Sequence, residues 1–343
     1  MSTPEKATRR RGLPLVLVAC LGLGLAGCGS GGKAGGDAGG GAPVKDDGLI
    51  IDLSIPLSQP FAGAVKMGSD DAAKALGTTY QYTAPPDLSN MVPDYTRLFN
   101  EAIARKPKAI LFINFNPEVF APLIRKAADA GIAVSLYNSG SHTFRDVGAI
   151  GYAGEEPISQ GRAAGRAALA SGAKTIVCVN HLATEELERR CAGAREVVEA
   201  AGGSVDELNI PPADSTNDEA ITRDIQGYLK SHDDIDGVIA LGGNIATDAV
   251  LARENLGKSD VRIGTTDVST GALEAVKRGD LDYVIDQQPY LQGYYALQTA
   301  VQYLRYGIKP NNAIDTGGLI VDKTNVDRTL EIQQRYDGIR GAQ

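Results

Sequence analysis

Residues 109–139 read AILFINFNPEVFAPLIRKAADAGIAVSLYNS, and the fold follows from this stretch. An apolar run of strand length, Ala109–Ile113, gives way at Asn116-Pro117 to a segment of helical spacing that ends near Ala130, and Gly131 leads into a second apolar run, Ile132–Tyr137. Asn116 is an N-cap, Pro117 a preorganised first helical residue and Gly131 a C-cap. Neither strand alternates with polar residues, so the pattern predicts a parallel sheet covered by helices on both faces.

The same unit repeats in both directions. Upstream lie strand Leu49–Ile55, helix Pro60–Leu76, strand Thr79–Tyr82 and helix Tyr95–Ala104. Downstream, a short strand near Val147–Ile150 closes the first series, and a second opens with helix Ile158–Ala170, strand Thr175–Val179, helix Glu185–Ala201 and a strand near Ser204–Leu208. Helix Asn217–Lys230, strand Gly237–Leu241, helix Ile245–Asn255, strand Val261–Thr265, helix Gly271–Lys277, strand Asp282–Ile285 and the long helix Pro289–Tyr306 follow. Thr216 and Glu219 have the spacing of a capping box for the Asn217 helix. The expected class is α/β, with two doubly wound parallel-sheet lobes in succession.

The chain ends carry different information. Arg9–Arg11 precede an apolar run, Leu13–Leu25, too short for a stable membrane span, so residues 1–27 read as a signal peptide. Leu25-Ala26-Gly27-Cys28 resembles the bacterial lipobox, which makes Cys28 the expected site of lipidation. Residues 28–48 then form a Gly-rich tether with no apolar period. Gly22–Gly27 matches a dinucleotide-binding GxGxxG but has no βαβ unit around it, so it is set aside. A net charge of -8, with no basic cluster beyond the leader, argues against a nucleic-acid partner. His142, His181 and His232 lie too far apart for metal-ligand spacing, and no GxSxG or phosphate loop appears; no metal, cofactor or catalytic residue is expected. Cys178 and Cys191 remain after the leader and anchor cysteines. Outside the membrane they could be bridged, the alternative being two buried thiols.

In open α/β sheets ligands bind beyond the carboxyl ends of the strands. The residues there are Ser58, Gln59 and Phe61; Asn114 and Asn116; Asn138 and Ser139; Asn180 and His181; Gly242, Gly243 and Asn244; Asp267; and Asp286, Gln287 and Gln288. Amides, hydroxyls and carboxylates with one aromatic ring suit a small polyhydroxylated ligand held between the lobes. Asp267 could instead cap the segment that follows it, and Arg190 could pair with Glu186 on its own helix.

At these positions the chain resembles the periplasmic sugar-binding proteins of the ribose-binding type, the type I solute-binding proteins of ABC importers. In that family a Pro-Phe pair opens the first helix and its ring stacks on the sugar; Pro60-Phe61 matches it. Asp267 in Gly264-Thr265-Thr266-Asp267 corresponds to a ligand-binding aspartate and Gln287 to the glutamine before the proline at the lobe crossing, within Asp286-Gln287-Gln288-Pro289-Tyr290-Leu291-Gln292-Gly293-Tyr294. The departures matter as much. Asn138-Ser139 stands in place of Asp-Arg, Gly242-Gly243-Asn244 in place of Asn-Asp, and Ala62 in place of a second phenylalanine; Glu188 aligns with a sugar-binding arginine, with Arg190 two residues beyond. Ribose itself is therefore not the expected ligand; a more open pocket with fewer charged contacts could admit a hexose, a polyol such as inositol, or a ligand that is not a sugar.

The resemblance implies a three-segment hinge near Tyr152–Glu156, Asp286–Pro289 and Asp315–Gly318. It makes residues 49–153 plus 289–315 the N-terminal lobe, 154–288 plus 316–330 the C-terminal lobe and 331–343 a tail. It implies a monomeric, lipid-anchored, extracytoplasmic binding protein whose partners are the ligand, an ABC permease and, through Cys28, membrane lipid. A sensor that serves a histidine kinase or chemoreceptor, or a binder of a nucleoside or signalling furanose, would share every cleft residue.

Overall fold

The structure is a computed structural model that describes residues 46–341 except Ala183, Pro212 and Thr216. The leader, Cys28, most of the tether and the Thr216 half of the expected capping box lie outside the described residues. The first sheet begins with β1 (Ile50–Leu53), α1 (Pro60–Leu76), β2 (Gln81–Thr83), α2 (Met91–Ala104), β3 (Ala109–Phe112), α3 (Pro117–Asp129), β4 (Ala133–Tyr137) and β5 (Gly151–Gly154). The second comprises α4 (Pro157–Ser171), β6 (Thr175–Asn180), α5 (Glu185–Ala200), β7 (Ser204–Asn209), α6 (Asp218–Ser231), β8 (Gly237–Ala240), α7 (Gly243–Leu256), β9 (Arg262–Thr265), α8 (Thr270–Arg278) and β10 (Tyr283–Asp286). The chain then returns to the first sheet with α9 (Pro289–Tyr306) and β11 (Ile314–Asp315), and to the second with β12 (Leu319–Asp322) and α10 (Val326–Arg335).

Strand order is β11-β5-β4-β3-β1-β2 in one lobe and β12-β10-β9-β8-β6-β7 in the other, parallel throughout except for β12 against β10. In both, the first strand of the lobe sits inside the sheet and the order reverses beside it, the topological switch at which open sheets bind ligands. Apolar side chains fill both faces. Ile110 and Phe112 of β3 point into the α2–α3 layer, while Ala109 and Leu111 point into the α1–α9 layer. The first layer is an edge-to-face aromatic stack of Tyr95, Phe99, Phe112, Phe115 and Phe120, from whose edge the Tyr95 hydroxyl donates to the Ser54 carbonyl at 2.8 Å. That bond fixes the exit of β1, where the candidate residues begin.

Helix pairing uses one device in both lobes. A Cβ on Gly68 or Gly293 would collide with the backbone of Tyr290 or Val65, so α1 and α9 touch main chain to main chain; Gly161 and Gly193 do the same for α4 and α5, against Arg190 and Ile158. Cys178 on β6 and Cys191 on α5 form a disulfide with their Cα atoms 5.8 Å apart, which ties α5 to its sheet from the other side.

One expected element is misplaced. Val147–Ile150 is not a strand; residues 141–148 form consecutive turns, with Gly148 at φ 79°, and the strand lies at Gly151–Gly154. Phe144 and Val147 are buried as plugs under the turns rather than as strand residues. The α6 N-cap is Asn217, whose side chain accepts from the Ala220 amide at 3.1 Å.

Candidate functional site

The lobes are joined where β5 runs into α4, β10 into α9 and β11 into β12. The three crossings are bonded to one another. Gln288 Nε2 donates to the Thr316 carbonyl at 2.8 Å, Thr316 Oγ1 to the Gln287 carbonyl at 3.1 Å and the Thr316 amide to the Gly154 carbonyl at 2.9 Å. The Tyr152 hydroxyl lies 2.6 and 2.7 Å from the carbonyls of Glu155 and Asn138, linking the first crossing to the exit of β4. Gln288 has φ 55°, a left-handed value that costs energy in a non-glycine residue and marks a place where the surroundings dictate the backbone.

Polar side chains converge beside these crossings. Arg190, on α5, donates to the Glu155 carboxylate of the first crossing, and Gln287 Nε2 donates to Asp267 beyond β9. Asp267 acts electrostatically on Glu155, Arg190 and His181, so lobe and hinge residues form one group. Burial raises the Glu155 carboxyl from 4.5 to about 7 even though Arg190 favours its charge. For Arg190 burial opposes the charge, but the carboxylates of Glu155, Asp267 and Glu186 outweigh it and the guanidinium is pushed up. Burial, which favours a neutral ring able both to donate and to accept, pushes the His181 imidazole down against the opposing pull of Asp267. Glu155 Oε2, Arg190 Nε, Gln287 Oε1 and His181 Nδ1 are buried with no protein partner.

Gly242 packs against His181: a Cβ there would lie 3.3 Å from the ring Cε1 and 3.2 Å from Asn244 Oδ1. Asn244 itself is exposed at the start of α7, and Glu188 is exposed on α5, outside the buried group. On the other lobe, Asn138 has φ 61° and its Oδ1 accepts from Ser139 Oγ at 3.2 Å; both residues are half-buried. Buried Asn114 donates to Thr143 at 3.3 Å, and its Oδ1 has no protein partner. Asn116 is committed to capping α3 and Asn180 to Glu207 and the Leu182 amide. Ser58 and Gln59 are exposed, and half-buried Phe61 packs against the α1–α9 layer with Gly341 beside its backbone.

Two features escaped the sequence reading. Glu155 is the partner of Arg190, where helical spacing offered Glu186. Its only signal was a carboxylate in a predicted hinge, immediately before Glu156, which pairs with Arg189 at 3.1 Å. Beyond α10 the chain also returns to the hinge, where Arg340 pairs with fully buried Asp286 and borders a cavity of about 160 Å³ shared with Gln288, Tyr290 and Ile332. Among the described residues no cluster of His, Cys, Asp and Glu is arranged to hold a metal ion, and no helix is long and apolar enough to cross a membrane.

Residues 53–309 match the family described as periplasmic binding protein domain. The xylose/arabinose-binding protein XylF of Sulfolobus acidocaldarius is 26% identical over 310 residues, 84% of this chain and 74% of that protein. The D-apiose import binding protein of Paraburkholderia graminis is 29% identical over 266 residues, 76% and 82% of the respective chains. Among solved structures, a carbohydrate transporter from Acidothermus cellulolyticus 11B in complex with myo-inositol is 29% identical, with a TM-score of 0.72 over 85% of this chain and 99% of that one.

Proposed function

Because the chain belongs to the periplasmic binding protein domain family, we propose that it is the extracytoplasmic solute-binding lipoprotein of an ABC importer, taking a simple sugar or polyol between its lobes. The observation that carries this reading is the set of buried atoms without protein partners, Glu155 Oε2, Arg190 Nε, Gln287 Oε1 and His181 Nδ1. Each such atom is costly when desolvated alone, and a ligand with several hydroxyls, each both donor and acceptor, offsets that cost at several of them together. Anions fit less well, since Arg190 is already paired and Asp267 and Glu186 add negative charge.

Bonding to both lobes biases the closed state, which the permease then reads. On this reading Asp267, Gln287, Arg190 and His181 hold the ligand from the second lobe and the hinge. Asn114, Asn138 and Ser139 face it from the first, with Phe61 supplying an apolar surface. Cys28 carries the lipid and residues 29–48 the reach to the membrane.

Calorimetric titration with D-xylose, L-arabinose, D-apiose, D-allose, D-ribose and myo-inositol tests the assignment. At least one is expected to bind with an affinity that falls on Asp267→Ala; binding by none, or binding indifferent to Asp267, sinks it. Fatty-acid labelling that persists in Cys28→Ala would remove the anchor.

A further inference from the structure

At the rim of the cleft the two lobes touch through side chains that belong to none of the three crossings. His142, in the turns between β4 and β5, places Nε2 3.1 Å from Oε1 of Glu185, the first residue of α5. The first residue belongs to one lobe and the second to the other.

Each partner is held by its own lobe. The His142 turn is anchored by Phe144, buried in the α2–α3 layer, by the Asn114–Thr143 bond at 3.3 Å, and by Arg145, which reaches the Asn311 carbonyl at 2.7 Å and Asn312 Oδ1 at 2.8 Å. Glu185 starts a helix fixed by the Cys178–Cys191 disulfide and by the close Gly161 and Gly193 contacts with α4. Two rigid supports thus present complementary groups to each other, and any opening of the hinge that carries the lobes apart breaks the contact. Neither residue belongs to the buried ligand group.

We infer that His142 and Glu185 are positioning residues for ligand capture: a lobe-to-lobe latch that forms whenever the lobes close, with or without ligand, and sets how long the closed state, and so the ligand, persists. This rests on the proposed function, in which closure accompanies binding. The groups facing His142 from α5 are Glu185 and Glu186, both acidic, and on its own turn Arg145 is directed away onto Asn311 and Asn312.

Hydrogen–deuterium exchange of the ligand-free full-length protein tests the contact without a ligand. Peptides 139–147 and 184–190 would be followed in wild type, His142→Ala, Glu185→Gln and the double variant. Each single change is expected to raise uptake in both peptides, including the one on the opposite lobe, and the double to add nothing. Changes confined to the substituted peptide, or additive in the double variant, overturn the latch. With whichever probe binds among D-xylose, L-arabinose and myo-inositol, stopped-flow dissociation is expected to be roughly two- to fivefold faster in either variant, with little change in association. Dissociation unchanged from wild type in both variants also overturns the latch. If no probe binds, the ligand assignment fails while the exchange result still decides the latch.

Discussion

Replacing Arg190 with methionine isolates the electrostatics of the hinge. In the native protein Glu155 is 2% exposed and its carboxyl is raised from 4.5 to about 7, burial outweighing Arg190. A folded pKa above the unfolded one means that stability is fully present below pH 4.5 and lost as pH rises through 7. The shift corresponds to about 3 kcal/mol over that window. Without Arg190 the carboxyl rises further, toward Asp267 and Asp315 with no cation beside it. At pH 8 the variant must ionise Glu155 against burial or hold a proton against the bulk, and breaking a buried pair on one side costs about 3–5 kcal/mol. At pH 5 the carboxyl is protonated in the folded state and the deficit shrinks to about 1 kcal/mol of lost hydrogen bonding. Urea denaturation of wild type, Arg190→Met and Arg190→Met/Glu155→Gln at the two pH values measures this, since replacing both partners removes the uncompensated charge. The double variant is expected to recover most of the deficit at pH 8. Equal deficits at both pH values, or a double variant no better than the single, would refute the assignment of Glu155 as the charge that Arg190 balances.

Asp267→Ala removes a charged acceptor and releases Gln287, and is expected to weaken ligand binding by roughly ten- to a hundredfold in a calorimetric titration. Burial raises Asp52, which accepts from Tyr137 at 2.8 Å inside β1, from 3.8 to about 7. Its share of stability is therefore present below pH 3.8 and lost as pH rises through 7, about 4 kcal/mol by linkage; Asp52→Asn is expected to flatten the denaturation profile between those values. Arg340→Ala leaves Asp286 buried without its cation and is expected to lower the melting temperature more at high pH than at low pH, read by calorimetry. Cys178→Ala/Cys191→Ala opens a link of sequence separation 13 and is expected to destabilise by about 3 kcal/mol in urea, with reductant abolishing the difference from wild type.

The strand–helix units were legible because each is written locally. Asn116-Pro117 caps α3 where the reading places it, and the flanking apolar runs become β3 and β4. β5 was not legible. Its sequence, Gly151-Tyr152-Ala153-Gly154, is poor in strand formers, and pairing with β4 and β11 selects it, with the Tyr152 hydroxyl bonded to Asn138. The better-looking run just before it is spent on plugging turns, because Gly148 turns the backbone there.

For the site the boundary between legible and hidden falls in the same place. That His181, Gly242, Asp267 and Gln287 gather near the hinge follows from where each strand ends, a property of one strand at a time. Which atoms meet is a property of several elements together. Helical spacing is the only proximity visible around Arg190 in the sequence, and it offers Glu186. The disulfide one residue on and the Gly161 contact with the Arg190 backbone set α5 against α4 so that the guanidinium reaches Glu155, 35 residues earlier. That choice of partner matters for function as well as packing. An arginine paired along its own helix would be free to turn toward a ligand carboxylate or phosphate, whereas one locked onto a hinge carboxylate presents only its remaining N–H groups, at fixed positions, and suits uncharged hydroxyls.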